Sequence, residues 1–319
     1  MVILYVITGC LAVAGLYLYN QYKFMQAEKA YLPTGRYVTV EGIRLHYIDR
    51  GEGRPIIFLH GGVLTGNDFD QAMDLAVSQG YRVLSFDRPG YGHSERPRGV
   101  KVTPLTQAKL LHEAIKAIGI ERPILVGHSW SGILVLSYAL QYPDDLSGMV
   151  ILGGGMYKEG YPAEKGDPLS RIVLTPFLGS FVLNTLLATL GPLMAKHILK
   201  LTFAPESVPA DYQQATLALW LRPSQFKANR QDVMAFAPTA EQISKDYGTI
   251  MTPAVIVVGT SDPFPTKEHS YRLVNELPHA QLIELPDAAH MIPQNHPQAV
   301  VDAVEKLIRE IDVNCIFCR

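Results

Sequence analysis

The sequence predicts an α/β fold: a doubly wound, mostly parallel sheet with an N-terminal antiparallel hairpin, a helical cap insertion and an N-terminal transmembrane helix. Three observations carry that expectation. Short runs of Val, Ile and Leu alternate with helix-length segments along most of the 319-residue chain. The alternation breaks once, between about Met156 and Gly248. The stretch from Val2 to Tyr19 carries no charged residue.

That first stretch is apolar or weakly polar throughout, and about 20 such residues at 1.5 Å each cross the hydrocarbon core of a bilayer. Tyr17, Tyr19 and Tyr22 gather at its end, where amphipathic rings favour the membrane interface. The expectation is an uncleaved single-pass anchor over residues 1–22. A secretory signal would want positive residues before the apolar run and a small-residue cleavage site after it. Ile7-Thr8-Gly9-Cys10 is similar to a lipoprotein cleavage box, but apolar residues continue past Cys10. Lys23, Lys29 and Arg36 follow the span, and the positive-inside tendency then places the rest of the chain in the cytoplasm.

From Arg36 to Asp49, two alternating segments flank Glu41-Gly42, the pattern of a β-hairpin around a tight turn. Unalternating apolar runs follow at 56–59, 81–86, 124–126, 149–152, 254–258 and 281–285, as in strands covered on both faces. Helical stretches fall near 67–79, 103–119, 130–142, 266–277 and 297–310, with Thr266 and Asn295 as helix-start residues. Strand–helix alternation of this kind builds a doubly wound sheet. The expected organisation is a core over 30–155 and 249–312, interrupted by a helical cap over 156–248.

Lys plus Arg number 28 against 30 for Asp plus Glu, with no long run of one sign, so nucleic acid is not an expected partner. Cys10, Cys315 and Cys318 are the only cysteines, which leaves no disulfide framework for the body of the chain. The pair Cys315/Cys318 lacks the second ligand pair that a zinc site needs. The sequence holds no HExxH, EF-hand or Walker pattern, and no metal or cofactor is expected.

The chemistry concentrates in Gly127-His128-Ser129-Trp130-Ser131, where a buried strand turns directly into a helix rich in Leu, Val and Ala. A turn that sharp needs small residues two positions before and after its centre, and Gly127 and Ser131 supply them. The turn lifts Ser129 above the strand, beside the unpaired N–H groups of the helix that follows. This segment resembles the nucleophile elbow of α/β-hydrolases, G-x-S-x-G, with Ser131 replacing the last Gly.

Other segments support the resemblance. Leu59-His60-Gly61-Gly62 ends a strand as the oxyanion loop of that family does, implying that the backbone N–H groups of Gly62 and Trp130 hold the tetrahedral oxyanion. His60 reads as a hydrogen-bonding residue of this loop. Asp87-Arg88-Pro89-Gly90 is similar to the family's loop after the next strand, with Asp87, Arg88 and His93 in structural roles. Asp262 and His290 each follow a late strand, so Ser129, Asp262 and His290 keep the family's chain order of nucleophile, acid and base. In those roles His290 deprotonates Ser129 and Asp262 orients the imidazole. Gly153-Gly154-Gly155 leaves the family's alternative acid station without a carboxylate, and Asp287 reads as a turn residue.

The resemblance implies a serine hydrolase acting on a small-molecule acyl substrate, with a carboxylic ester foremost. Members that open epoxides or displace halide carry aspartate at the elbow, so Ser129 argues against both. Carbon–carbon or amide hydrolysis by the same triad, or a silent hydrolase-fold scaffold, are the alternatives. Leu174, Phe177, Leu178, Phe181, Leu186, Leu190 and Met194 in the insertion either pack helices together or suit a lipid-like substrate. Trp130 is placed to line the acyl pocket.

Overall fold

The computed structural model describes residues 1–317, with side chains as far as Val313. Eight strands form one sheet in the order β1-β2-β4-β3-β5-β6-β7-β8. They are β1 (Arg36–Val40), β2 (Ile43–Arg50), β3 (Pro55–Leu59), β4 (Arg82–Phe86), β5 (Ile124–His128), β6 (Gly148–Leu152), β7 (Ala254–Gly259) and β8 (Ala280–Leu285). β1 and β2 form the expected hairpin, and Glu41 and Gly42 between them both have positive φ, as a tight hairpin turn requires. β2 joins β4 antiparallel, and every pairing from β4 through β3 to β8 is parallel.

Alternation of side chains across each strand builds two cores. Ile57, Leu84, Leu125, Ile151 and Ile256 pack against α3 (Pro104–Ile118), α4 (Ser131–Gln141) and α10 (Thr266–Glu276). Their neighbours Ile56, Val83, Val126, Val150 and Val257 pack on the other side against α2 (Asp70–Ser78) and α12 (Pro297–Phe317). Each such side chain taken from water contributes about 1.5–3 kcal/mol, which is why apolar runs without alternation mark these strands. α10 begins at Thr266 as expected, with Pro265 at the capping position and no side-chain cap. Asn295 closes the short helix α11 (Ile292–Asn295), and α12 starts at Pro297.

Between β6 and β7 lie five α-helices, α5 (Pro168–Leu174), α6 (Leu178–Thr185), α7 (Leu187–Phe203), α8 (Ala210–Leu219) and α9 (Pro223–Ile243), followed by a 3-10 turn over Ser244–Thr249. Val173, Leu183, Leu187, Trp220 and Phe226 form their own small core. The far end of α9 joins the main core through Phe236, Ala240 and Ile243. The N-terminal helix α1 (Val2–Ala30) runs past the expected end of the span, because its second half buries Asn20, Phe24 and Ala27 against the inserted helices. Val2–Ala30 is long and apolar enough to cross a membrane. Cys318 and the side chain of Cys315 lie outside the described residues.

Candidate active site

The strand order reverses direction around β3, with β4 on one side and β5 on the other, and at such a switch point the loops leave a crevice at the strands' carboxyl ends. Ser129 follows β5, Gly61 and Gly62 follow β3, Asp262 follows β7, and His290 follows β8. All of these residues line one cavity of about 310 Å³ except Asp262, which lies behind His290.

Ser129 sits at φ +55°, a left-handed conformation that costs a non-glycine residue about 1–3 kcal/mol and that the surrounding packing must impose. Three backbone bonds impose it. Ser129 N–H donates to Leu152 O at 2.9 Å, while Ser129 O accepts from Gly132 N–H at 3.0 Å and Gly155 N–H at 2.9 Å. A Cβ at Gly127 would stand 2.6 Å from Ser131 O, so the turn closes only over glycine. The Ser131 hydroxyl donates to His60 O at 2.6 Å and stitches the elbow to the loop after β3, which gives this departure from G-x-S-x-G a physical role.

Ser129 Oγ lies 2.8 Å from His290 Nε2, and His290 Nδ1 lies 2.8 Å from Asp262 Oδ2. The Asp262 carboxylate accepts from Nδ1–H, leaving Nε2 to accept from the serine hydroxyl. Burial opposes ionisation of Asp262, but the His290 charge and hydrogen bond, with the Phe264 N–H, hold its carboxyl below the usual range. A Cβ at Gly153 would stand 3.3 Å from Asp262 Oδ2 and 3.4 Å from His290 Nδ1, so that glycine gives the pair its room.

Gly61 packs against the serine, since a Cβ there would approach Ser129 Cβ to 3.1 Å. No hydrogen bond within the described residues engages the N–H of Gly62 or Trp130, so both remain as donors beside the hydroxyl. Arg88 fixes their loop: its guanidinium donates to His60 O at 3.1 Å and Gly61 O at 2.8 Å, and lies 4.1 Å from the centre of the Trp130 ring. His60 donates from Nδ1 to Gly61 O and accepts the Arg88 N–H at Nε2, each at 2.9 Å. Burial, with Arg88 beside it, pushes its pKa down to about 3, so it stays neutral in the structural position expected of it. Asp87 ties His46, Gly66 N–H and His93 N–H together away from the cavity.

Three residues near the site escape sequence reasoning. His128 donates from Nε2 to His290 O at 2.9 Å, and burial followed by the His290 charge lowers its pKa to about 3. Asn229 of α9 donates to Gly62 O at 2.5 Å, and the Asp68 carboxyl reaches the same cavity. Their partners stand far away in the chain, so no local pattern announces them. The seven apolar insertion residues do not line this cavity. The insertion contributes instead Ile198 and Thr202 of α7, Tyr212 of α8, Trp220 just past it, and Arg230 and Val233 of α9.

Residues 54–297 match the family model described as alpha/beta hydrolase fold. The chain is 26% identical over 276 residues to a 2-hydroxy-6-oxo-6-phenylhexa-2,4-dienoate hydrolase of Burkholderia cepacia, covering 83% of this chain and 93% of that one. It is 27% identical over 269 residues to haloalkane dehalogenase 2 of Mycobacterium tuberculosis, covering 82% of this chain and 90% of that one. A bacterial membrane phospholipase A shares the fold with a TM-score of 0.68 at 17% identity, over 98% of this chain and 96% of that one. The chain belongs to the α/β-hydrolase fold family.

Proposed function

We propose that this hydrolase cleaves a carboxylic ester through an acyl-enzyme formed on Ser129, with His290 as general base and Asp262 as its orienting acid. The observation that carries this reading is the unbroken line from Ser129 Oγ through the imidazole to Asp262, two hydrogen bonds of 2.8 Å each. His290 takes the hydroxyl proton as the serine attacks the carbonyl, then gives it to the departing alkoxide. A water attacks the acyl-enzyme by the same route in reverse. The N–H groups of Gly62 and Trp130 hold the oxyanion, and losing one such donor costs about 2.7–4 kcal/mol of transition-state stabilisation. Ile198, Trp220, Phe264 and Met291 line the cavity and favour an apolar acyl or alcohol group.

Hydrolysis of a carbon–carbon bond is the second reading, favoured by the dienoate hydrolase relative. The dehalogenase relative does not carry over, because halide displacement in this family uses an aspartate where this chain has Ser129. In the proposed setting the first 22 residues, the apolar part of α1, are a single-pass anchor, and Lys23, Lys29 and Arg36 beyond them favour a cytoplasmic catalytic domain.

The test combines fluorophosphonate labelling with turnover of short and long p-nitrophenyl esters, a β-diketone and a proline amide. Ser129→Ala is expected to fold, lose the label and lose turnover by several powers of ten. Label without ester turnover, together with β-diketone cleavage, selects the second reading. A folded native protein that takes no label and turns over nothing is a scaffold.

A further inference from the structure

Some apolar residues of the insertion face outward, away from both the small helical core and the cavity. Phe177 is 91% exposed and Leu193 71%, and Phe181 and Leu190 are exposed on the same pair of helices. Isolated exposed leucines need no explanation, but Phe181 of this group shares a groove with the apolar part of α1. The α6 end at Thr185 is pinned to Asn20. Farther out, Ser180 and Phe181 line one groove of about 990 Å³ together with Tyr5, Cys10, Val13 and Tyr17. Those α1 residues lie inside the uncharged stretch from Val2 to Tyr19, so α6 stands beside the span and not below it.

Composition agrees with that placement. α6 together with α7 is apolar enough to count as a membrane-crossing length of helix, bent by 81° between them. Past the outward-facing Leu190 and Leu193, α7 presents Lys196 and Lys200 to solvent. An apolar half followed by lysines is the pattern of a helix entering a bilayer at a slant, with its cations at the headgroups.

We propose that the cap is itself a membrane contact: Phe177, Phe181, Leu190 and Leu193 sit in the hydrocarbon of the leaflet next to α1, with Lys196 and Lys200 against anionic headgroups. The proposal rests on the reading of α1 as an anchor. It goes further by placing the roof of the substrate cavity, which α7 supplies through Ile198 and Thr202, in contact with lipid. A lipid-borne ester would then reach Ser129 through a roof already at the bilayer.

The experiment uses the full chain in nanodiscs of phosphatidylcholine and phosphatidylglycerol, compared with discs of the same lipids brominated on the acyl chains. The two native tryptophans, Trp130 and Trp220, are buried and give a constant background. Phe181→Trp and Leu193→Trp are read one at a time against Leu11→Trp in the span and Tyr37→Trp on the exposed hairpin. Both cap variants are expected to lose emission in brominated discs as strongly as Leu11→Trp, while Tyr37→Trp loses none. Loss at Leu11→Trp with none at either cap position overturns the cap contact and leaves the anchor standing. No loss at Leu11→Trp overturns the anchor reading and the proposal together. Unquenched cap variants in discs that hold two copies of the chain assign this face to a second copy, which also overturns it.

Discussion

The Asp68 carboxyl accepts no hydrogen bond among the described residues, and the charge of Arg88 only partly offsets what disfavours its ionisation. Its Oδ1 is buried without a hydrogen bond among the described residues, and burial, reinforced by Asp87 and Asp70, holds its pKa well above the usual range. An acid whose folded pKa is raised keeps its proton in the native state while the unfolded chain releases it. Stability therefore falls with rising pH, from the unfolded value of about 3.9 up to the folded one, by about 1.4 kcal/mol per pH unit at full slope. Asp68→Asn removes that liability without changing shape. Urea midpoints of the two proteins are expected to coincide near pH 3.5 and to separate in favour of Asp68→Asn as pH rises to 7. A constant difference across that range would mean that Asp68 is ionised in the folded protein. At this scale sequence reading was uneven. The station of Ser129 is written locally, because Gly127 and the strand–helix junction must lie within two residues of it. Asp68 is not, because what isolates its carboxyl comes from residues such as Tyr212, far along the chain.

Helix α9 is the element that couples the insertion to the candidate site, and it does so through Asp232. The buried carboxylate accepts from Arg88 at 2.6 Å, Arg96 at 2.8 Å and Gln107 at 3.0 Å, while the Asp232 carbonyl accepts from the Trp130 indole at 3.2 Å. Burial alone would raise the Asp232 pKa, but the two guanidiniums hold it below the usual range. Removing one partner of such a pair strands the other charge, at a cost of about 3–5 kcal/mol, whereas replacing both by apolar groups costs far less. Asp232→Ala is thus expected to lower the melting temperature by about 2–4 °C for each kcal/mol lost. Ester turnover should fall as well, since Arg88 holds the carbonyls of His60 and Gly61. Asp232→Leu with Arg88→Met and Arg96→Met should restore most of the stability but not the turnover, as read by calorimetry and steady-state rates; equal recovery of both would show that Arg88 does not order the loop. The strands were legible because covering both faces writes Val and Ile into consecutive positions, as in β7. The inserted helices were legible only as a break in that rhythm. Their apolar residues admit packing or substrate roles until neighbours are known: Leu174 and Met194 pack on the small core, while Phe177 and Phe181 are exposed and line neither the core nor the cavity.

For the molecule as a whole, the joint between α1 and the insertion decides whether the N-terminal helix is a tether or a structural part. Asn20, fully buried, plugs the bend between α6 and α7 with both ends of its amide. Its Nδ2 donates to Thr185 O at 2.7 Å, a carbonyl at the end of α6, and its Oδ1 accepts from Ala188 N–H at 2.7 Å, a donor in the first turn of α7. Both are helix-terminal groups with no partner inside their own helix. Asn20→Ala strands them in the interior at about 1–3 kcal/mol for each unsatisfied group. That loss falls on a region held by the small core of Val173, Leu187 and Trp220, and not on the sheet. Stability is local in such cases, so the opening is expected to be local too. Hydrogen exchange of Asn20→Ala in detergent should quicken across residues 178–195, while β5, β6 and β7 keep native protection. Uniform quickening would mean that the helices and the sheet unfold as one unit. No change anywhere would mean that α1 only tethers the domain, and would remove the geometric basis for placing α6 beside the span.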